Sequence, residues 1–306
     1  MAALKLHGII PPVVTPLDQQ GKIDEASLRR VIRHLIDGGV HGLFLMGSTS
    51  EVIFLNGAER AEAIRIAVDE AAGAVPLVAG VIDPTTERCI EHAKQAKELG
   101  VQGLVVTAPF YTRTSPAETI DHFRYIQQAV DLPIIAYDIP VCVHSKLSRE
   151  TLRAMYDEGL ICAVKDSSGD DGNMRMLMRD FADAPDFAIL TGSETTVDYA
   201  LLGGAHGCVP GLGNVDPAGY VRLYELARAG DWEGARAEQE RLIALFDIVF
   251  HGVPYTSPNA SGVGGFKTAM QLMGIIDHRL MSKPNRLLPD AAVERVRTIV
   301  AAAGLL

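Results

Sequence analysis

Residues 103–168 read GLVVTAPFYTRTSPAETIDHFRYIQQAVDLPIIAYDIPVCVHSKLSRETLRAMYDEGLICAVKDSS. Short apolar runs of strand character, GLVVTAP (103–109), PIIAYDIP (133–140) and CAVKDSS (162–168), alternate here with amphipathic helical stretches. The alternation continues in both directions, through GIIPPVVTP (8–16), GLFLMG (42–47) and PLVAGVI (76–82) upstream and FAILTGSE (187–194) and GCVPGLGN (207–214) downstream. Intervening segments such as DEASLRRVIRHLIDGG (24–39) and TTERCIEHAKQAKELG (85–100) start near Asp or Thr caps and end at glycine, as helices do.

Eight strand-then-helix units predict an α/β fold, a closed (β/α)8 TIM barrel. An open doubly wound sheet is the fallback. Its GxGxxG fingerprint is missing after the first strand, which runs instead into a polar, hairpin-like turn, TPLDQQGKID (15–24). Beyond Asn214 the alternation stops and the sequence reads as helical: 216–230, 231–252, 262–275 and 289–304, with loop composition at 251–265. Residues 1–230 are therefore expected to form the barrel with its eighth helix. Residues 231–306 are expected to form a C-terminal helical extension packed on it through Trp232 and the apolar helix faces.

Composition narrows the function. The 306 residues are 48% hydrophobic and 22% charged, enough for a full core, and no apolar run approaches the roughly 18 to 20 residues of a membrane span. Met1 to Pro16 lacks the pattern of a secretory signal, so a cytoplasmic protein is expected. Cys89, Cys142, Cys162 and Cys208 form no CxxC pair, and four mostly buried thiols are expected. No His/Asp/Glu group has convincing ligand spacing, so neither a metal nor a cofactor is expected. Basic residues (28 against 38 acidic, net charge −10) are scattered, which argues against nucleic acid as a partner. An acidic chain repels anionic metabolites at long range, so a carboxylate substrate must be held by local donors.

Polar residues at strand C-termini are the candidates for chemistry. Lys165 ends an apolar strand; desolvation there favours the neutral amine, the form that adds to ketones. The same lysine can also be read as pairing with Asp166 or with a helix end. Ser48 and Thr49 could cradle a carboxylate through hydroxyls and backbone N–H groups, or belong to an ordinary βα loop. Tyr137 could pass protons, or simply pack. His144, just past a strand end, could act as acid or base, or be an ordinary loop histidine.

Together these segments resemble the dihydrodipicolinate synthase and N-acetylneuraminate lyase family, the pyruvate-dependent class I aldolases. The carriers are PPVVTP (11–16), GSTSE (47–51), YDIP (137–140), VKDSSGD (164–170) and GAHG (204–207), so the resemblance runs essentially end to end. It implies that Lys165 forms a Schiff base with a 2-oxo acid, that Ser48 and Thr49 hold its carboxylate and that Tyr137 shuttles protons. It further implies that Tyr111 crosses a dimer interface to join the relay, that Val209 faces the enamine, and that the protein is a homotetramer, a dimer of dimers. Ser167 with Gly192, Ser193 and Glu194 would form a polar wall for a polyol chain.

Departures from the family bear on substrate. Where the synthase branch carries an arginine that grips a carboxylate, this chain has Cys142, which argues against lysine biosynthesis. Ser50 replaces a usual glycine and Asp138 a usual asparagine, changes that bear on loop geometry and local charge. The expected activity is an aldolase on a 2-oxo-3-deoxy sugar acid or related hydroxy-2-oxo acid, yielding pyruvate and an aldehyde. A Schiff-base dehydratase of such a sugar acid is the close alternative, and a non-catalytic 2-oxo acid sensor would be expected to lack the lysine or tyrosine.

Overall fold

The computed structural model describes residues 4–306. Its strands are β1 (Gly8–Ile9), β2 (Leu43–Leu45), β3 (Leu77–Gly80), β4 (Gly103–Thr107), β5 (Ile134–Asp138), β6 (Ala163–Asp166), β7 (Ala188–Thr191) and β8 (Gly207–Cys208). The helices between and after them are α1 (Glu25–Asp37), α2 (Gly57–Ala71), α3 (Thr86–Glu98), α4 (Pro116–Ala129), α5 (Pro140–Val143), α6 (Arg149–Asp157), α7 (Asp171–Asp180), α8 (Val197–Gly203) and α9 (Pro217–Arg228). Helices α10 (Trp232–Phe246), α11 (Pro258–Leu272) and α12 (Asp290–Ala302) follow. Side-chain caps read as expected: Asp24 accepts from Ser27 N, Thr85 from Arg88 N, and Ser115 and Asn56 each close a capping box with a glutamate.

All strands pair in parallel, in the order β1-β8-β7-β6-β5-β4-β3-β2. The sheet closes where Pro12 meets Phe44: Phe44 N donates to Pro11 O (3.0 Å) and Val13 N to Phe44 O (2.9 Å). The barrel expected from the alternation is what forms. Every strand is shorter than its apolar run, β1 and β8 most of all. In 8–16, Pro11 and Pro12 have no N–H to give a ladder, and in 207–214 Pro210 likewise ends pairing, after which Gly211–Asn214 coil into a 3-10 turn.

The seam between these short strands is held by other means. Asn214, fully buried, accepts from Val14 N (3.1 Å) and donates to Pro12 O and Gly211 O (2.8 Å each). Gly207 packs so closely on β1 that a Cβ there would lie 2.0 Å from Gly8 O. The hairpin-like turn after β1 is present as an antiparallel bridge, Leu17 to Ile23.

One hydrophobic cluster runs from Leu6 to Val300. It joins barrel residues such as Phe44, Leu104 and Ile189 to Leu242, Leu245, Phe266, Val296 and Val300 of the C-terminal helices, which are thus packed on the barrel. Each such side chain taken fully out of water contributes about 1.5–3 kcal/mol. Within 251–265 the loop reading needs correction: α11 starts at Pro258, because Ser257 accepts from Ala260 N and the proline suits a first helical turn. Of the cysteines, all free, Cys89 and Cys208 are buried, Cys162 is partly buried and Cys142 is exposed. Among the described residues no helix is long and apolar enough to cross a membrane.

His122 of α4 is 2% exposed, with Nδ1 2.9 Å from Thr86 Oγ1 and a buried Nε2 that has no hydrogen-bond partner among the described residues. Burial pushes its pKa down to about 4. Because the folded value lies below the unfolded one of about 6.5, its contribution to stability is complete above pH 6.5 and is lost as pH falls through 4. The span corresponds to about 3 kcal/mol. His122→Gln should therefore flatten the loss of stability between pH 6.5 and 4 in denaturant titrations; an unchanged slope would remove His122 from acid unfolding.

Candidate active site

Lys165 lies on β6 opposite Tyr137 of β5 and Leu190 of β7, and Tyr137 in turn lies opposite Thr107 of β4. Successive strand residues face opposite ways, so Lys165 points into the barrel while Asp166 points out. Asp166 meets Lys146, 3.9 Å away, and accepts from Ser168 N at 2.8 Å. Among the described residues no carboxylate lies within 4.0 Å of the Lys165 ammonium. The pairing with Asp166 that the sequence left open does not occur.

What surrounds Lys165 is apolar and aromatic. It is 5% exposed, its Nζ sits 4.2 Å from the centre of the Tyr137 ring and 5.0 Å from that of Phe44, and the two rings meet edge to face. Beneath it a small apolar cavity is lined by Ile10, Val105, Ile135, Leu190 and Val209. Val209 and Tyr137 thus both lie beside Lys165.

Ser48 and Thr49 leave β2 half-buried at the barrel mouth. Their backbone N–H groups have no acceptor among the described residues. The loop is fixed by its neighbours: Ser50 Oγ donates to Val13 O (2.6 Å) and accepts from Gly47 N (3.1 Å), and Thr15 Oγ1 donates to Ser50 O (2.9 Å). Serine fits where glycine is usual because the left-handed turn falls on Met46 (φ 56°) and Glu51 (φ 58°), not on Ser50. Glu51 is buried against Lys267 of α11 and accepts from Ser282 N at 2.8 Å. Asp138 is matched in a similar way: it accepts from Lys146 and from Leu147 N (3.1 Å), although burial still raises its pKa.

Across the mouth, Glu194 accepts from Gly211 N (2.8 Å) and Leu212 N (3.1 Å), and removal from water pushes its pKa up to about 7. A Cβ at Gly192 would lie 1.9 Å from Ser167 Oγ, so a side chain there would force Ser167 to turn. Gly192 N donates to Asp166 O (2.7 Å), and Ser193 Oγ accepts from Thr196 Oγ1 (2.8 Å). Ser193 therefore turns into its own loop.

Two cavities open at the mouth and share Ser48 and Asn259. One, of about 250 Å³, is lined by Thr107, Val52, Ile82, Ile139, Cys142 and Val143 among others. The other, of about 270 Å³, lies against Phe246, Phe250, Val253 and Phe266, with Thr49 and Glu194. Ser167, Gly192 and Ser193 line neither cavity, and Tyr111 and His144 lie further out. Tyr111 is 97% exposed at φ 72°, and His144 caps α5 at φ 56°; both line an outer groove reached past Cys142. The sequence reading missed Thr107, for which the end of β4 was a signal, and Asn259, which only the return of α11 to the mouth brings there.

The sequence matches the Dihydrodipicolinate synthetase family over residues 5–303. An uncharacterized DapA-like lyase of Halobacterium salinarum is 35% identical over 303 residues, 99% of this chain and 96% of that protein. A 4-hydroxy-tetrahydrodipicolinate synthase of Rhodopseudomonas palustris is 31% identical over 302 residues, 98% of this chain and 97% of its own. Among solved structures, YagE, a prophage protein of the dihydrodipicolinic acid synthase family from E. coli K12 in complex with pyruvate, has a TM-score of 0.92 at 26% identity and covers 99% of this chain and 100% of that one. Alike in sequence and in fold along nearly its whole length, the chain belongs to the dihydrodipicolinate synthetase family of class I aldolases and lyases.

Proposed function

We propose that the protein is a Schiff-base lyase that interconverts a hydroxy-2-oxo acid, of the 2-oxo-3-deoxy sugar acid type or related to it, with pyruvate and an aldehyde. The observation that carries this is the setting of Lys165, 5% exposed between two aromatic rings with no carboxylate among the described residues against its ammonium. An amine without a carboxylate partner is free to add to a ketone. The pyruvate held by YagE supports pyruvate as the keto half.

In this mechanism Lys165 Nζ attacks the ketone carbon, and loss of water from the carbinolamine gives an iminium. The electron pair of the C3–C4 bond flows into that iminium, the C4 hydroxyl gives up its proton, and the aldehyde leaves. The enamine is then protonated at C3 and water releases pyruvate. Ser48 and Thr49 supply free amides for the carboxylate, Tyr137 relays the protons, and Val209 provides the apolar floor. Sodium borohydride should trap pyruvate on Lys165, located by peptide mapping; no adduct with pyruvate or longer 2-oxo acids would sink the reading.

Tyr111 is almost fully exposed and lines neither mouth cavity, and a left-handed tyrosine costs roughly 1–2 kcal/mol. We assign it to the Ser48–Tyr137 relay of a neighbouring copy in a homotetramer. Tyr111→Phe should lower kcat about 100-fold, the scale of a lost proton relay, with Tm unchanged. An undiminished rate would remove Tyr111 from the mechanism.

A dehydratase reading is favoured by one observation: Glu194, with its pKa near 7, can carry a proton to a departing hydroxyl at neutral pH. Product analysis separates the two, since the aldolase yields pyruvate plus aldehyde and the dehydratase leaves the carbon chain intact.

A further inference from the structure

We propose that the aldehyde half of the substrate carries an apolar group, an aromatic ring or a branched aliphatic chain, in place of a polyhydroxylated or carboxylate-bearing one. This rests on the Schiff-base reading above and narrows it to the less hydroxylated of the two substrate types.

The polar wall expected for a polyol does not line the mouth. Of Ser167, Gly192, Ser193 and Glu194, only Glu194 borders either mouth cavity. Each Glu194 oxygen already accepts one backbone N–H, which leaves it a single further acceptor site, while Ser193 Oγ accepts from Thr196 and Gly192 N donates to Asp166 O. Facing Glu194 are Phe246, Val249, Phe250, Val253, Val263 and Phe266. A polyol buried here would leave several hydroxyls without partners, at about 1–3 kcal/mol each.

A carboxylate fares no better. No arginine or lysine lines either mouth cavity among the described residues, and Cys142 stands among Val52, Ile53, Phe110, Ile139 and Val143. An apolar cavity of about 150 Å³ is enough to hold benzene. The 270 Å³ beside Phe250 accommodates a substituted ring. Asn259, common with Ser48 to both cavities, is placed to hold the single hydroxyl that an aldol product carries at C4. Apolar surface continues onto the rim, where Phe250 is 59% and Val253 49% exposed.

The reaction in the synthetic direction needs no further reactant. Pyruvate C3, as the enamine on Lys165, forms a bond to the aldehyde carbon; the aldehyde oxygen takes a proton, and water hydrolyses the iminium to release the hydroxy-2-oxo acid.

The test offers pyruvate with benzaldehyde, glyceraldehyde or succinic semialdehyde to the full chain, alongside borohydride trapping of pyruvate alone. Benzaldehyde should be preferred in kcat/KM by about 10- to 100-fold, the discrimination an apolar pocket supplies. Phe250→Ser, a change at a largely exposed position, should cut the benzaldehyde to glyceraldehyde ratio at least tenfold. Trapping with equal or better use of glyceraldehyde or succinic semialdehyde, or with turnover of none of the three, overturns the apolar assignment and leaves the Schiff base standing. Absence of any trapped adduct overturns both.

Discussion

Lys165→Ala is expected to lose the borohydride-trapped adduct completely and to lower turnover by about 10,000-fold or more, since removing a nucleophile elsewhere costs on the order of a million-fold. The reason is local: among the described residues no other lysine lines the small cavity that Lys165 shares with Val209 and Leu190, so no second amine can substitute. Folding should survive the change. Lys165 is 5% exposed and has no ion-pair partner among the described residues, so its removal leaves no buried charge unpaired and costs packing against Phe44 and Tyr137. Lys165→Arg sharpens the test, because a guanidinium keeps the charge and does not form the imine. A rate within tenfold of the parent in either variant would end the Schiff-base reading, while loss of both rate and folded signal in Lys165→Ala would shift the decision to Lys165→Arg.

Much of this was legible in the sequence because it depends on short-range pattern. The runs CAVKDSS and PIIAYDIP carry strand periodicity, and strand ends are where a barrel places its reactive groups, so Lys165 and Tyr137 could be set at the same mouth before their register was known. What was not legible depends on where distant segments meet. Asn259 lies in a tract whose glycines and prolines read as loop and Phe250 in the stretch 231–252 read as helical, yet the reversal between α10 and α11 carries both over Ser48. Ser193 looked like a hydroxyl aimed at substrate, but its bond to Thr196, three residues on, turns it away. Asp138 stood out as a charge where an amide is usual; Lys146, eight residues later, is the compensation.

Lys267→Met should destabilise the protein by about 3–5 kcal/mol, the cost of leaving one member of a buried ion pair alone. Lys267 is 0% and Glu51 1% exposed, and the remaining bonds of the pair are to backbone: Lys267 Nζ donates to Leu280 O (2.8 Å) and Glu51 accepts from Ser282 N (2.8 Å). The pair therefore joins three separate stretches of chain, namely the Ser48–Glu51 loop, helix α11 and residues 280–282. With net stabilities of about 5–15 kcal/mol, such a loss is a large fraction of the whole. It should also reach the site, because Glu51 holds its loop at φ 58° next to the two amides assigned to the substrate carboxylate, so KM for the 2-oxo acid should rise. The double variant Glu51→Gln, Lys267→Met removes both charges and should recover most of the stability, as neutral replacements of buried pairs commonly do. Urea titrations of the parent, the single and the double variants decide it. A double variant as unstable as Lys267→Met would mean that α11 is held by the shape of Lys267 and its bond to Leu280, and that the charge of Glu51 plays no part in anchoring the loop.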